Sequence, residues 1–398
     1  MDAGRAPRPG GTRRPSSKGR FTRGGTIGYS PRLMRRSGSS RNGTRRRGSL
    51  VLVAALSLAW ANGAATAADA PAAGPPAAAA LPDPARARAF LASVRPSADL
   101  QAFLDGAIAE IGREDPRFLA SAPRVAVIDL ARPDEPVLAE LRGSVPVYPA
   151  SVVKFAYLMA AYAWQESGLL TIDPALDAEL GDMIRESSNQ ATQKVFARLT
   201  GTTPGPELDG QDYARYRDRR LAVERWLQSL GIDDLHAVNP TFDGGGDLHG
   251  REQQFLRDRT VAGGLPAAGE QYPNRNAMTA SGTAKLLALL ALDLALTPRD
   301  SQAVRRRMLR DVREQPHLVH RIAGGVSGLP GAEAWSKSGT WGPIYADAGV
   351  VHAASGRQFT LAVFTDASPP YRGDAIASLA RRLAARLLAP AAVEGGAP

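Results

Sequence analysis

Residues 147–158 read VYPASVVKFAYL. Phe155 and Leu158, with Met159 and Tyr162 beyond them, fall on one face at helical spacing, so a helix is expected from Ser151 until Gly168 ends it. In its first turn Ser151 and Lys154 share a face, and hydroxyl and ammonium can meet. A serine at its free pKa is a poor nucleophile and needs an adjacent base. A lysine that is partly desolvated, near other cations and at a helix N-terminus supplies one, because each condition lowers its pKa. The same tetrapeptide also reads as an N-cap followed by an exposed lysine. Residue usage bears on the choice: the chain holds five lysines (Lys18, Lys154, Lys194, Lys285, Lys337) against forty-four arginines. Lysine is kept where a proton must leave the side chain, which arginine does not allow.

Two further segments carry chemistry-bearing residues. Ser187-Ser188-Asn189 falls between expected helices, where a second hydroxyl could relay a proton and an amide could hold a carbonyl; such a run also suits a helix N-cap. Lys337-Ser338-Gly339-Thr340 closes an expected strand. There a lysine raises the local potential, a hydroxyl can bind a carboxylate, and glycine permits close backbone approach; the bland reading is a strand-to-turn signal. Trp335 and Trp341 flank this segment, and either line a cleft or pack on the sheet.

S-x-x-K, S-x-N and K-[ST]-G thus occur in order, each on an element that suits it. With this trio the chain resembles, over roughly residues 120–390, the class A serine β-lactamase and penicillin-binding-protein family. RVAVIDL (124–130) followed by VYPASVVKFAYL is similar to that family's opening strands and nucleophile helix, and RNAMTASGTAKLLALL (275–290) to the helix after its omega loop. The resemblance implies that Ser151 is acylated, Lys154 deprotonates it, Ser187 passes a proton to the leaving nitrogen and Asn189 binds the substrate's side-chain amide. It implies that Lys337 and Ser338 hold the substrate carboxylate beside Gly339, and that the backbone N–H groups of Ser151 and Thr340 form the oxyanion hole.

The chain departs from the family twice. Ser151 and Ser187 stand closer in sequence than in the best-known class A enzymes, which implies an abbreviated helical connection. The family's Glu-Pro, whose glutamate activates the deacylating water, is missing; the nearest match is Asn239-Pro240-Thr241-Phe242-Asp243. Either the carboxylate has moved to Asp243, or no such base exists and Asp243 is a turn residue before three glycines. Three functions follow: a secreted β-lactamase, a peptidoglycan D,D-peptidase-like enzyme, and a non-hydrolytic penicilloyl-binding or sensing domain. The first is preferred for its class A layout. The expected partner is a small β-lactam or a peptidoglycan peptide, the expected state a monomer, and no cofactor is expected.

Around these motifs the fold class reads as α+β, an antiparallel sheet flanked by helices with an inserted all-helical lobe at about 151–295. Strands are expected at Arg124 to Leu130, Pro136 to Arg142, Ala334 to Lys337, Ala346 to His352 and Gln358 to Phe364. Helices are expected over 84–113 with a break at Pro96, at 176–185, 190–199, 219–230 and 281–295, and as an amphipathic closing helix at 374–388. Stretches 200–212 and 237–275 read as loop-rich. The domains are then a leader (1–67), an Ala/Pro-rich linker with an N-terminal helical extension (68–120), a catalytic domain (121–390) and a disordered tail (391–398).

The formal net charge of +10 belongs to the leader. Its first fifty residues hold fourteen Lys/Arg and one acid; the remainder carries 35 basic and 38 acidic residues, so no nucleic-acid surface is indicated. Arg45-Arg46-Arg47, the apolar LVLVAALSLAW and Ala65-Thr66-Ala67 form a secretory signal too short to remain as a transmembrane helix, so the mature protein is expected in the periplasm or outside the cell. The long basic region suggests that translation starts at Met34. Without cysteine, thiolate metal sites are excluded. His236, Asp243, Asp247 and His249 fit no known metal-site spacing, and neither a G-x-S-x-G elbow nor a phosphate loop occurs.

Overall fold

The computed structural model describes residues 82–241, 249–261 and 272–389 of the protein. The leader, the linker as far as 81, Asp243, Asp247, the glycines between them and the tail at 391–398 lie outside these residues. In chain order the elements are α1 (Pro84–Ser93), β1 (Arg95–Pro96), α2 (Ala98–Glu114), α3 (Pro116–Ala120), β2 (Arg124–Asp129) and β3 (Val137–Leu141). A 3₁₀ turn at Ala150–Val153 leads into α4 (Lys154–Glu166), α5 (Pro174–Arg185), α6 (Asn189–Thr200), α7 (Gly210–Arg220) and α8 (Ala222–Ser229). There follow β4 (Leu235–His236), α9 (Arg251–Arg257), β5 (Ala277–Met278), α10 (Ala280–Ala291), α11 (Pro298–Met308) and α12 (Ile322–Val326). The chain closes with β6 (Ala332–Trp341), β7 (Ile344–Ala353), β8 (Gln358–Asp366) and α13 (Ala375–Leu387).

The main sheet has the order β1-β3-β2-β8-β7-β6, so strands from before and after the helical block meet where β2 pairs with β8. All pairings are antiparallel except the edge: β1 runs parallel to β3, with Arg95 opposite Val137, which makes the expected antiparallel sheet a mixed one. Side chains alternate across a strand, and here both faces are covered. Val125 and Val127 of β2, with Leu361 and Val363 of β8, join the core under α2 and α13. Ala126, Ile128, Ala362 and Phe364 join the core that contains α4 and α10. Leu100, Leu104, Ile108 and Ile111 of α2 belong to the first of these cores, so the N-terminal helical segment covers the sheet itself.

The inserted helices differ from the sequence expectation in ways that follow from composition. α4 is buried all round from Lys154 to Tyr162, because Ala156, Ala160 and Ala161 fill the faces that the larger residues leave. α7 begins inside the expected loop 200–212, and α9 lies inside 237–275. α7 buries only Tyr216 and Arg220, too sparse an apolar repeat to show in sequence. α11 was not expected for the same reason: Val304 and Met308 are its buried apolar residues, and its start is marked by Pro298 and by Thr297, whose hydroxyl caps Asp300 N–H. Among the described residues no helix is long and apolar enough to cross a membrane.

Candidate active site

Ser151 sits inside the 3₁₀ turn, and α4 proper starts at Lys154. Ala150 just before it is held at φ +48°, a left-handed conformation that non-glycine residues avoid at a cost of roughly 1–2 kcal/mol. The turn therefore presents the serine by strain that the surrounding packing maintains. Lys154 is fully buried.

The second motif resolves into two jobs. Ser188 is the N-cap of α6, its hydroxyl accepting from Ala191 N–H at 3.1 Å, so the capping reading holds for that residue. Ser187 and Asn189 are left to face the lysine. Lys154 Nζ donates to the Ser187 carbonyl at 2.6 Å, to Asn189 Oδ1 at 2.7 Å and, at 3.5 Å, to Ser187 Oγ. Ser187 is itself left-handed at φ +55°, a second strained position beside the same amine.

The third motif closes the arrangement from β6. Lys337 Nζ donates to Ser187 Oγ at 3.0 Å and to the Ser338 carbonyl at 2.8 Å. Alternation puts Lys337, Gly339 and Trp341 on one face and Ser336, Ser338 and Thr340 on the other. Gly339 is there because nothing larger fits: a Cβ would lie 2.7 Å from the Pro149 carbonyl oxygen and 3.0 Å from Val152 Cγ2. The missing side chain lets β6 lie directly against the 3₁₀ turn that carries Ser151. Three segments distant in the chain thus meet around two lysines and one hydroxyl.

Several residues that assemble the site were not singled out in the sequence. Arg310, nearly buried, donates to the Ser336 carbonyl at 2.8 Å and to the Ile184 carbonyl at 3.0 Å, tying β6 to the end of α5 just before Ser187. Arg321 donates to Thr340 Oγ1 at 2.6 Å and to the Ala346 carbonyl. Asp347, completely buried, accepts from Ile322 N–H at 3.0 Å. Burial pulls Lys337 well below the usual lysine range, with repulsion from Arg310 and Lys154 adding to it and Asp347 opposing. Burial likewise lowers Arg310 to about 10 and raises Asp347, against the pull of Arg321.

Ser151, Asn189 and Thr340 line one cavity of about 430 Å³ that extends to Asn239, Thr241 and Arg275. Its far wall is pinned by a polar network. Asn276 Oδ1 accepts from the N–H groups of Val238 and Asn239, both at 2.9 Å, and Asn276 Nδ2 donates to the Asn239 carbonyl at 2.7 Å. Arg220, buried, donates to Glu252 at 2.9 Å and to the side chain of Asn239, under the rings of Phe196, Tyr216 and Phe255. This network holds Asn239, the first residue of the segment that runs on toward Asp243. Trp341 lines the cavity, whereas Trp335 stacks on His352 at 5.3 Å, away from it. His236 is buried and bonds Glu224 at 2.7 Å, inside the helical lobe.

A mixed sheet covered on both faces by helices, with S-x-x-K, S-x-N and K-S-G side by side, is the layout of β-lactamases and penicillin-binding proteins. Residues 220–388 match the sequence model of a β-lactamase enzyme family, a span that includes Lys337 to Thr340 and follows the other two motifs. That match and the three motifs make the chain similar to the class A serine β-lactamase and penicillin-binding-protein-like family. Among solved structures, a β-lactamase from Sphaerobacter thermophilus DSM 20745 is 19% identical over 72% of this chain and 99% of its own, with a TM-score of 0.48. A β-lactamase from Chitinophaga pinensis DSM 2588 is 18% identical over 66% of this chain and 92% of its own, with a TM-score of 0.45. A mutant of PBP-A in an acyl-enzyme complex with penicillin G is 18% identical over 66% and 88%, with a TM-score of 0.45. No curated protein matches the chain.

Proposed function

We propose that the protein is an exported serine hydrolase that opens β-lactam amides through an acyl-serine intermediate on Ser151. The observation that supports this most is the hydrogen-bonded chain Lys154–Ser187–Lys337, two buried amines sharing one hydroxyl beside the nucleophile turn. Two ammonium groups so close in a desolvated site repel, and loss of one proton leaves an amine able to act as a base. Lys154, as the free amine, takes the Ser151 proton while Oγ attacks the lactam carbonyl. The N–H groups of Ser151 and Thr340 stabilise the oxyanion. On collapse the C–N bond breaks and the nitrogen takes the Ser187 proton, which is replaced by the one Lys154 took from Ser151, so that Lys154 is again the free amine. Asn189 holds the side-chain amide, and Lys337 with Ser338 holds the substrate carboxylate. Water activated by Asp243 then releases the acid and restores Ser151. The leader supports export.

The test is covalent labelling by a fluorescent penicillin combined with turnover of a chromogenic cephalosporin. Wild type should label and turn over many times; Ser151→Ala should do neither, and undiminished labelling of that variant refutes the nucleophile. Asp243→Asn should label but stop after one burst. A wild type that itself stops after one burst moves the protein to the D,D-peptidase or sensor reading, which D-alanine release from a model peptide separates.

A further inference from the structure

The outer end of the cavity holds a cation that the proposed reaction does not use. Arg275 places its guanidinium 4.3 Å from the Tyr148 ring centroid and 4.6 Å from that of Trp341, and the two rings meet edge to face at 5.3 Å. Neither ring is remote from the chemistry. Tyr148 stands three residues before Ser151, and Trp341 directly follows Thr340. The clamp therefore bridges the nucleophile turn and the end of β6 across the cavity mouth. The backbone behind it is fixed: Arg275 N–H donates to the Tyr272 carbonyl at 3.2 Å, and the next residue, Asn276, is the one bonded to Val238 and Asn239.

Arg275 also bonds the Tyr148 side chain, and a guanidinium with five N–H donors held against aromatic rings keeps others for a planar anion, the geometry suited to a carboxylate. Among the described residues, Arg275 is the charged side chain in the cavity wall, and no carboxylate there forms an ion pair with it. The rest of the described wall around it is neutral: Asn189, Asn239, Thr241 and Gln253 offer amides and a hydroxyl. Lys337 and Trp341 are four residues apart on β6, roughly 13 Å at about 3.3 Å per residue. The clamp on Trp341 thus stands about that far along β6 from Lys337.

We infer that Arg275, clamped by Tyr148 and Trp341, is a second anion-recognition point, and that this site favours acyl donors carrying a carboxylate on the acyl side chain as well as the one expected at Lys337 and Ser338. The inference rests on the proposed acyl-serine chemistry. Substrate specificity then depends on side-chain charge: a charge-assisted hydrogen bond to a carboxylate separates donors that carry one from donors that do not by roughly ten- to a hundredfold.

The experiment compares two penicillins that differ only in a side-chain carboxylate, benzylpenicillin and its α-carboxy derivative, by their second-order rate constants for acylating wild type, Arg275→Gln and Arg275→Lys. The ratio of the two constants cancels any loss common to both, such as partial misfolding. Wild type should favour the carboxylated compound at least tenfold, Arg275→Gln should lose that preference, and Arg275→Lys should keep part of it. A ratio that is the same in wild type and Arg275→Gln overturns the inference and leaves Arg275 a packing residue. Failure of both compounds to acylate wild type overturns the proposed function, and the inference with it.

Discussion

Gly339→Ala tests whether contact between β6 and the Ser151 turn sets the geometry of the proposed reaction. The added Cβ would meet the Pro149 carbonyl oxygen at 2.7 Å, Val152 Cγ2 at 3.0 Å and the Val152 backbone nitrogen at 3.2 Å. Two of these three atoms are backbone, so no side-chain rotation relieves the clash. Non-bonded atoms settle at about 3.5–4.0 Å, so strand and turn must separate by roughly half an ångström or more. Overpacking of this kind costs about 1–3 kcal/mol of stability. The catalytic cost is separable. A displacement of about 1 Å can lower a rate about a hundredfold, so half of it implies about tenfold. Stopped-flow acylation by a fluorescent penicillin measures the rate, and a thermal melt measures the fold. A variant that melts cooperatively and acylates within about twofold of wild type would show that the oxyanion geometry does not depend on this contact.

Lys337→Met should raise the melting temperature at neutral pH while lowering acylation, because an apolar side chain of similar size replaces a buried, poorly compensated ammonium, a change worth about 1–4 kcal/mol in comparable sites. The pH dependence has a definite sign. Lys337 sits well below its ordinary value of 10.5 in the fold, so between that lowered pKa and 10.5 the unfolded chain binds a proton that the folded chain does not. Wild-type stability therefore falls as pH drops through this window, and the advantage of the methionine variant should shrink as pH rises toward 10.5; an advantage that grows instead would refute the assignment. Glu252→Ala strands the buried Arg220 guanidinium and should cost about 3–5 kcal/mol in urea unfolding; a loss below about 1 kcal/mol, the size of a surface pair, would mean that the rings and Asn239 suffice to hold Arg220.

What sequence offered for the candidate site was three short motifs at element ends, where each also has an ordinary reading as a cap or turn and only their order together singled them out. The strands β2, β7 and β8 were legible because both of their faces are buried and their apolar runs are nearly continuous. Arg310 and Arg321 were not, since in a chain with forty-four arginines each looks like a surface residue until tertiary contacts place it. Asp347 did leave a trace: it is the acid in YADAGVV, an otherwise apolar strand, and a lone carboxylate there implies a buried cation opposite. Arg275 opens the RNAMTASGTAKLLALL stretch that marks the family resemblance, but nothing local says that its side chain turns toward Tyr148 and Trp341.

The distribution of arginine and lysine around the site follows from these charges. Four cations, Lys154, Lys337, Arg310 and Arg321, are at most 8% exposed, and Asp347 is the buried carboxylate among them. Arg310 and Arg321 are satisfied mainly by carbonyl oxygens and one hydroxyl, so the electrostatic excess is not neutralised by pairing. Guanidinium groups keep their protons near neutral pH; an amine in the same field can shed one. Lys337 carries that response, with burial first and Arg310 second among the causes that lower it. An arginine at position 337 would keep its proton in the same burial, and a lysine at position 310, under the burial that lowers the arginine to about 10, would weaken the fixed charge beside Lys337. A chain that uses arginine almost everywhere thus places lysines where the three motifs meet, and holds Arg310 beside Lys337 as a fixed charge that lowers its pKa.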